Sequence, residues 1–339
     1  MNHNPHCDFV LPAEWSPQSG IQLTWPHTAT DWKPYLEDIT KTFVEMAREI
    51  TKRELLLVVT PDKEQTRSQL AESLSSECLS RIIIRQVDTN DTWARDHGPL
   101  TLTSTHQAQG FFVKNHLLDF KFNGWGEKFE WRKDNAINLQ LYYDGVFQAA
   151  LENHTDFILE GGSIESDGQG TIMTTTSCMT APHRNQPLGK REIDERLRIL
   201  LHADRIIWLD HGRLIGDDTD GHIDTIVRMA PHDTLLYVGC DDTEDEHYDD
   251  FAALERQLQG LKTRNGKPYR LLRLPMPKAI FDGDDRLPAT YANFVILNGA
   301  VLVPTYAQPD SDRAAMDTIH QAFPDRDIIG IDARTAIRQ

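Results

Sequence analysis

No run in this sequence is apolar for the roughly 20 residues that a membrane-spanning helix needs. The opening residues, Met1 to Val10, lack a basic segment followed by an apolar one, so no secretory leader is visible. Cysteine is scarce and scattered: Cys7, Cys78, Cys178 and Cys240 share no paired spacing. That excludes a disulfide framework and points to reduced thiols in a cytoplasmic protein. Positive charge is also short, with 35 basic against 52 acidic residues and a net charge of −17. Such a surface repels nucleic acid and anionic membrane, so neither is expected as a partner; it attracts small cations.

What is present is a chain of 339 residues, 39% hydrophobic, enough for a substantial core. The spacing predicts a strand over Ile21–Trp25, a helix over Tyr35–Ile50, a strand over Leu55–Val59, a second helix ending near Cys78, and a strand over Arg81–Arg85. Strands alternating with helices make this an α/β fold. Hairpins are then expected over Gly98–Thr103 with Gly110–Lys114, about Asp167-Gly168, about Pro231-His232-Asp233, and about Asn298-Gly299. Helical stretches, such as Glu192–Ala203 and Tyr248–Leu261, lie between them. The unit of strand, hairpin and helix recurs at roughly 60–70 residues, longer than common solenoid periods. No low-complexity linker interrupts it, so residues 1–339 read as one domain with internal pseudo-repeats.

The densest chemistry is Gly216-Asp217-Asp218-Thr219-Asp220-Gly221-His222-Ile223-Asp224. Strand-like runs Arg205–Leu209 and Thr225–Met229 flank it. His222 and Asp224, two apart, face the same side if the segment is extended. A calcium loop fails: with Gly221 as its glycine, its first and last positions are Gly216 and Val227. A transition-metal site on His222 and Asp224 needs further ligands that no His-x-x-x-His or Cys-x-x-Cys spacing supplies. An acid/base histidine among carboxylates that hold a cation also fits, as does a solvated acidic hairpin loop. Asp91-Thr92-Trp93-Ala94-Arg95-Asp96-His97-Gly98-Pro99 places an aspartate beside a tryptophan at a forced turn, a receptor suited to a delocalised cation or a pair of ordinary surface charges. Glu160-Gly161-Gly162 ends an apolar run, and its glycines allow close backbone approach.

Taken in order, Trp93-Ala94-Arg95-Asp96-His97-Gly98-Pro99, Glu160-Gly161-Gly162, Asp220-Gly221-His222-Ile223-Asp224 and Tyr291-Ala292-Asn293-Phe294 resemble the agmatine deiminase / bacterial peptidyl-arginine deiminase family. The resemblance runs from about Trp25 to the end. It implies a pentein fold, an α/β propeller of five pseudo-repeats around a central site. It implies that Asp96 and Asp224 clamp the two faces of a guanidinium, that His222 is general acid and base, and that Glu160 and Asp220 support the site. It further implies that Trp93 lines the substrate channel and that Asp218 faces the far amine of agmatine. A planar guanidinium fork matches paired carboxylates. The expected reaction is hydrolysis of agmatine to N-carbamoylputrescine and ammonia through a covalent cysteine intermediate, without metal or organic cofactor. The alternatives are deimination of peptidyl-arginine, non-catalytic guanidinium binding, and a metal hydrolase on His222 and Asp224. A small cationic guanidine is the expected partner, and a homodimer is compatible with this reading. The family's nucleophile comes from a Gly-rich segment near the C-terminus. This chain stops at Ala333-Arg334-Thr335-Ala336-Ile337-Arg338-Gln339 without one, and Ile328–Ile331 is expected to be the central strand leading towards it. Cys178 is expected to be a buried structural cysteine.

Overall fold

Short β-branched runs separated by amphipathic stretches fold into small sheets, each completed by a helix that carries the chain back. In the computed structural model, which describes residues 8–105 and 115–339, the chain starts with β1 (Phe9–Val10), β2 (Gly20–Thr24), α1 (Leu36–Thr51), β3 (Leu55–Thr60), α2 (Lys63–Ser73), the single turn α3 (Ser76–Leu79) and β4 (Ile82–Gln86). Strands β2, β3 and β4 lie side by side and parallel. Parallel neighbours need a long crossover, and α1 and α2 supply it. Helix α1 buries Ile39, Phe43, Ala47 and Ile50, a spacing that puts one apolar stripe on the sheet. Helix α2 starts where Asp62 accepts a hydrogen bond from the Gln65 amide at 2.9 Å, an N-cap that satisfies an otherwise orphaned donor.

Four further units share one plan. The second holds the turn α4 (Ala94–His97), β5 (Leu100–Ser104), β6 (His116–Lys121), the turn α5 (Gly124–Glu127), α6 (Arg132–Tyr143) and β7 (Ala150–Ile158). The third holds β8 (Ile164–Ser166), β9 (Thr171–Thr175), the turn α7 (Thr176–Met179), α8 (Lys190–Leu200) and β10 (Arg205–Leu209). The fourth holds β11 (Val227–Ala230), β12 (Thr234–Gly239), α9 (Tyr248–Gly260) and β13 (Arg270–Pro275). A two-residue ribbon, β14 (Phe281–Asp282) with β15 (Asp285–Arg286), precedes the fifth: β16 (Val295–Leu297), β17 (Ala300–Thr305), α10 (Pro309–Ala322) and β18 (Asp327–Asp332). In each of the four an antiparallel pair is followed by a helix and a strand parallel to the second. The last unit packs on the first: Leu297, Ala300, Leu302 and Ile331 share one apolar cluster with Ile39, Leu56 and Val58.

Three hairpins form where their turn residues stand, as β8–β9, β11–β12 and β16–β17. The strand expected over Gly110–Lys114 lies outside the described residues; β5 lies between β1 and β6, antiparallel to both. Ile328–Ile331 is a strand, but an edge one: β18 pairs with β17 in the order β16-β17-β18. An edge strand with α1 against it fits its mixed exposure, and the Thr42 hydroxyl of α1 donates to the Asp332 carbonyl at 3.2 Å. Described residues include three free cysteines, Cys78, Cys178 and Cys240. No helix among them is long and apolar enough to cross a membrane.

One buried cation ties the units together. Arg228 on β11 is 2% exposed. It bonds Glu165 of β8 at 2.7 Å, the carbonyls of Ala292 and Phe294 at 3.0 and 2.6 Å, and Glu14 near the N-terminus. Burial raises the Glu165 carboxyl to about 7 against the pull of Arg228. Replacing Arg228 by Met breaks this pair from one side, which costs roughly 3 kcal/mol, the lower end for a buried pair, because Glu165 can escape part of the penalty by protonating. Urea unfolding of Arg228→Met is expected to show that loss, and Arg228→Met combined with Glu165→Gln to recover part of it.

Candidate active site

Three loops deliver the acidic and imidazole groups to one point. Asp96 sits on the turn α4, which Gly98-Pro99 cannot continue as helix. It is 6% exposed. Its Oδ1 accepts the Gly162 amide at 2.9 Å, and its Oδ2 accepts the Trp125 indole N–H at 3.0 Å. The carboxylate is thereby fixed in rotation before any ligand arrives.

His222 and Asp224 lie on the loop between β10 and β11. The carboxylates within Gly216–Asp224 have different work. Asp217 organises it, accepting from the Thr219 amide and hydroxyl and the Gly221 amide at 3.0, 2.6 and 2.8 Å, the local bonding typical of aspartate in turns. Gly221 holds φ +97°, where a Cβ would come within 2.7 Å of the Ser177 hydroxyl. The segment then forms a 3₁₀ turn over Ile223–Thr225, so the two side chains are not related by extended spacing. His222 and Asp224 nevertheless aim at one place, because the 3₁₀ turn curls them round the same backbone. That place is Gly162: a Cβ built there would lie 2.6 Å from His222 Nδ1, 2.7 Å from Asp96 Oδ1 and 2.8 Å from Asp224 Oδ2. His222 Nδ1 and Asp96 Oδ1 are 3.6 Å apart.

The electrostatics follow from this crowding. Burial opposes charge on His222, but Asp96, Cys178 and Asp224 overcome it and hold the imidazole well above its usual range. Burial pushes the Asp224 carboxyl up to about 6, against His222 and Arg95. Asp224 Oδ1 has no hydrogen-bond partner among the described residues, and its Oδ2 is 3.8 Å from Arg95 Nε. A buried acceptor left open beside an acidic partner is what a cationic donor would satisfy.

Glu160 and Asp220 are placed differently from Asp96 and Asp224. Glu160 is fully buried, and Arg184 Nε lies 3.0 and 3.3 Å from its two oxygens. Arg184 continues to Asp220 at 2.6 Å and to the Thr219 carbonyl at 2.8 Å. Lys128 takes the other Asp220 oxygen at 2.7 Å and the Asp218 carbonyl at 2.6 Å. Both carboxylates are therefore bound by the protein's own cations and brace the loop that carries His222. Asp218 is exposed, and partial desolvation together with Asp217 and Asp220 raises its carboxyl despite Lys128. Trp93 precedes α4 and packs between Trp32 and Trp125, with ring centroids at 6.0 and 6.3 Å.

Two neighbours were not legible beforehand. Trp125 stands between Gly124 and Gly126 with all three at positive φ; a tryptophan flanked by glycines was the one available hint of a special turn. Cys178, on the turn α7 after β9, is buried as expected but is not remote. Its Sγ, one ring nitrogen of His222 and one Glu160 oxygen all lie within 4.8 Å of one another. Burial pushes its thiol up, with His222 opposing. Among the described residues, these three, rather than His222 with Asp224, are the donors grouped closely enough to hold a metal ion.

A family model described as Porphyromonas-type peptidyl-arginine deiminase matches residues 10–339. The chain belongs to that family. It is a hydrolase of the class that cleaves C–N bonds of amidines. Among solved structures, a Porphyromonas gingivalis protein named "Putative Arginine Deiminase" is 45% identical, with a TM-score of 0.89, over 98% of this chain and 95% of that one. A substrate-bound variant of the C. jejuni agmatine deiminase is 35% identical, with a TM-score of 0.88, over 98% and 92%. A curated relative from Pectobacterium atrosepticum, "Putative agmatine deiminase", is 30% identical over 97% of this chain and 91% of its own length.

In this deiminase-family chain Gly162 is the position without which the three reactive side chains could not meet. Gly162→Ala puts a methyl group among them and moves each outwards by several tenths of an ångström or more. Misplacement of about 1 Å costs roughly 10²-fold in rate. We expect kcat/KM for the guanidine substrate to fall by about that factor while the melting temperature changes little. Wild-type kinetics would show that the three groups do not act together.

Proposed function

We propose that this protein is an agmatine deiminase, hydrolysing agmatine to N-carbamoylputrescine and ammonia in the cytoplasm. The observation that carries the reading is the convergence of Asp96 Oδ1, Asp224 Oδ2 and His222 Nδ1 on Gly162. Two buried carboxylates present their oxygens to one small space, with an imidazole that readily takes up charge beside them. A guanidinium is planar, permanently charged and rich in donors, so it can bond both carboxylates at once. The five units, each contributing a loop, would close around this space as the five-repeat propeller of the pentein fold; the packing of the last unit on the first supports that closure.

The proposed chemistry is nucleophilic. A thiolate adds to the guanidinium carbon, His222 protonates the departing ammonia, and the same imidazole then takes a proton from the water that displaces the thiolate. Asp96 and Asp224 hold the carbon centre and stabilise its charge throughout. Cys178 is not given the attacking role: it is fully buried on the turn α7, outside the C-terminal pattern from which the family draws its nucleophile. In the family that the chain resembles, the attacking thiolate comes from a Gly-rich segment near the C-terminus.

Agmatine is favoured by the curated relatives named for it. The Porphyromonas gingivalis neighbour keeps arginine as the second reading. The exposed Asp218 carboxylate is the group assigned to agmatine's far ammonium, since Asp220 is already held by Arg184 and Lys128; a peptidyl-arginine would bring backbone amides there instead. The test is ammonia release by the full-length gene product from agmatine and from an arginine-containing peptide. Turnover of agmatine is expected, and turnover of the peptide alone would reverse the assignment.

Asp224→Asn keeps the shape of the clamp and removes one charge. A hydrogen bond to a charged group is worth roughly 1.5–3 kcal/mol, so kcat/KM should fall at least about tenfold. Unchanged kinetics would take Asp224 out of the site.

A further inference from the structure

We propose that Glu160, Cys178 and His222 form a binding site for a borderline-to-soft divalent cation, zinc first, which switches the enzyme off when occupied. The site is built from three separate elements: the end of β7, the turn α7 after β9, and the loop before β11. Its three residues are 0, 0 and 2% exposed. Their donor atoms lie within 4.8 Å of one another. A thiolate, an imidazole and a carboxylate together select zinc-like ions over magnesium or calcium, which prefer all-oxygen shells.

His222 supplies an independent pointer. Its Nδ1 faces Asp96 Oδ1 at 3.6 Å. Its Nε2 is buried and has no hydrogen-bond partner among the described residues. An unpartnered buried imidazole nitrogen is costly, and a cation would satisfy it. Asp96 behind Nδ1 gives the carboxylate–histidine–metal arrangement that orients metal-binding imidazoles. Arg184 bonds both Glu160 oxygens from outside and fixes that carboxylate in the same way. With zinc–sulfur near 2.3 Å and zinc–nitrogen near 2.0 Å, tetrahedral donors stand about 3.3–3.8 Å apart. From separations of at most 4.8 Å, the three atoms would close by no more than about 1.5 Å. Binding displaces the thiol proton of Cys178 and, if His222 is charged, the imidazolium proton, so one ion enters and up to two protons leave.

Occupancy takes the lone pair of His222 and leaves no base or acid for deimination. The inhibition rests on the deiminase reading; the binding does not. The experiment titrates full-length protein with Co2+ and follows the thiolate-to-metal charge-transfer band in the near ultraviolet. It also measures zinc inhibition of guanidine hydrolysis, with chelator reversal. Wild type should give the band at one ion per chain. Cys178→Ser should lose it, while Cys78→Ser and Cys240→Ser keep it. Loss of outer-shell partners alone weakens metal sites 10–100-fold, so Cys178→Ser should raise the zinc concentration for half-inhibition by about 100-fold, read against the variant's own uninhibited rate. A band that persists in Cys178→Ser, or no band in wild type, overturns the site. A band that depends on Cys178 in a protein without deiminase activity supports the site and removes the functional reading instead. Anomalous scattering from zinc-soaked wild-type crystals needs no variant: a peak among Glu160, Cys178 and His222 supports the proposal, and peaks only elsewhere refute it.

Discussion

Burying several carboxylates in one small space is expensive, and the arrangement of this molecule follows from how that cost is met. Asp96, Glu160, Glu165 and Asp224 are each 6% exposed or less. Two of them are neutralised by internal cations, Glu160 by Arg184 and Glu165 by Arg228. Asp96 is met by neutral donors, the Gly162 amide and the Trp125 indole. Asp224 has the weakest compensation, with one oxygen unpartnered among the described residues and burial pushing its carboxyl up to about 6. The uncompensated negative charge thus collects on Asp96 and Asp224, beside His222. A charge left short of partners inside a fold is where a charged ligand contributes most.

The same constraint explains why arginine appears so often near the site. Arg184 links Glu160, Asp220 and the Thr219 carbonyl, so one planar fork ties the strand end after β7 to the loop that carries His222. Arg228 does the equivalent between β11, β8 and the loop before β16. A lysine in either place could not span these acceptors with fixed geometry. Rigid braces of this kind keep side chains on loops as well placed as side chains on strands. The site can then be built from loops, while the sheets behind it serve mainly as a scaffold.

Local signals carried most of the architecture. Asn298-Gly299 and Asp167-Gly168 mark turns by their own conformational freedom, with φ at +78° for Gly299 and +70° for Gly168, and the strands on either side pair accordingly. The helix over Leu36–Thr51 follows from an apolar stripe visible in one window. Local reasoning failed where the backbone chose a shape for distant reasons. The spacing of His222 and Asp224 puts them on one side only of an extended segment, and they stand on a 3₁₀ turn. Ile328–Ile331 was read as a central strand and is an edge, because sheet order depends on partners that a strand's own residues do not name.

The sequence by itself determined the alternation of strands and helices, the hairpin turns, the acidic balance and the residue types of the candidate site, since each is encoded within a few neighbouring positions. The tertiary structure alone decided which acids are free and which are paired. It set Trp125 behind Asp96, Arg184 across Glu160 and Asp220, and Cys178 within reach of His222, all contacts between residues far apart in the chain. The physical reason is that the state of a buried charge is fixed by whatever lies within a few ångströms of it. In a chain that returns repeatedly to the same centre, those neighbours come from different units and leave no mark on each other's local sequence.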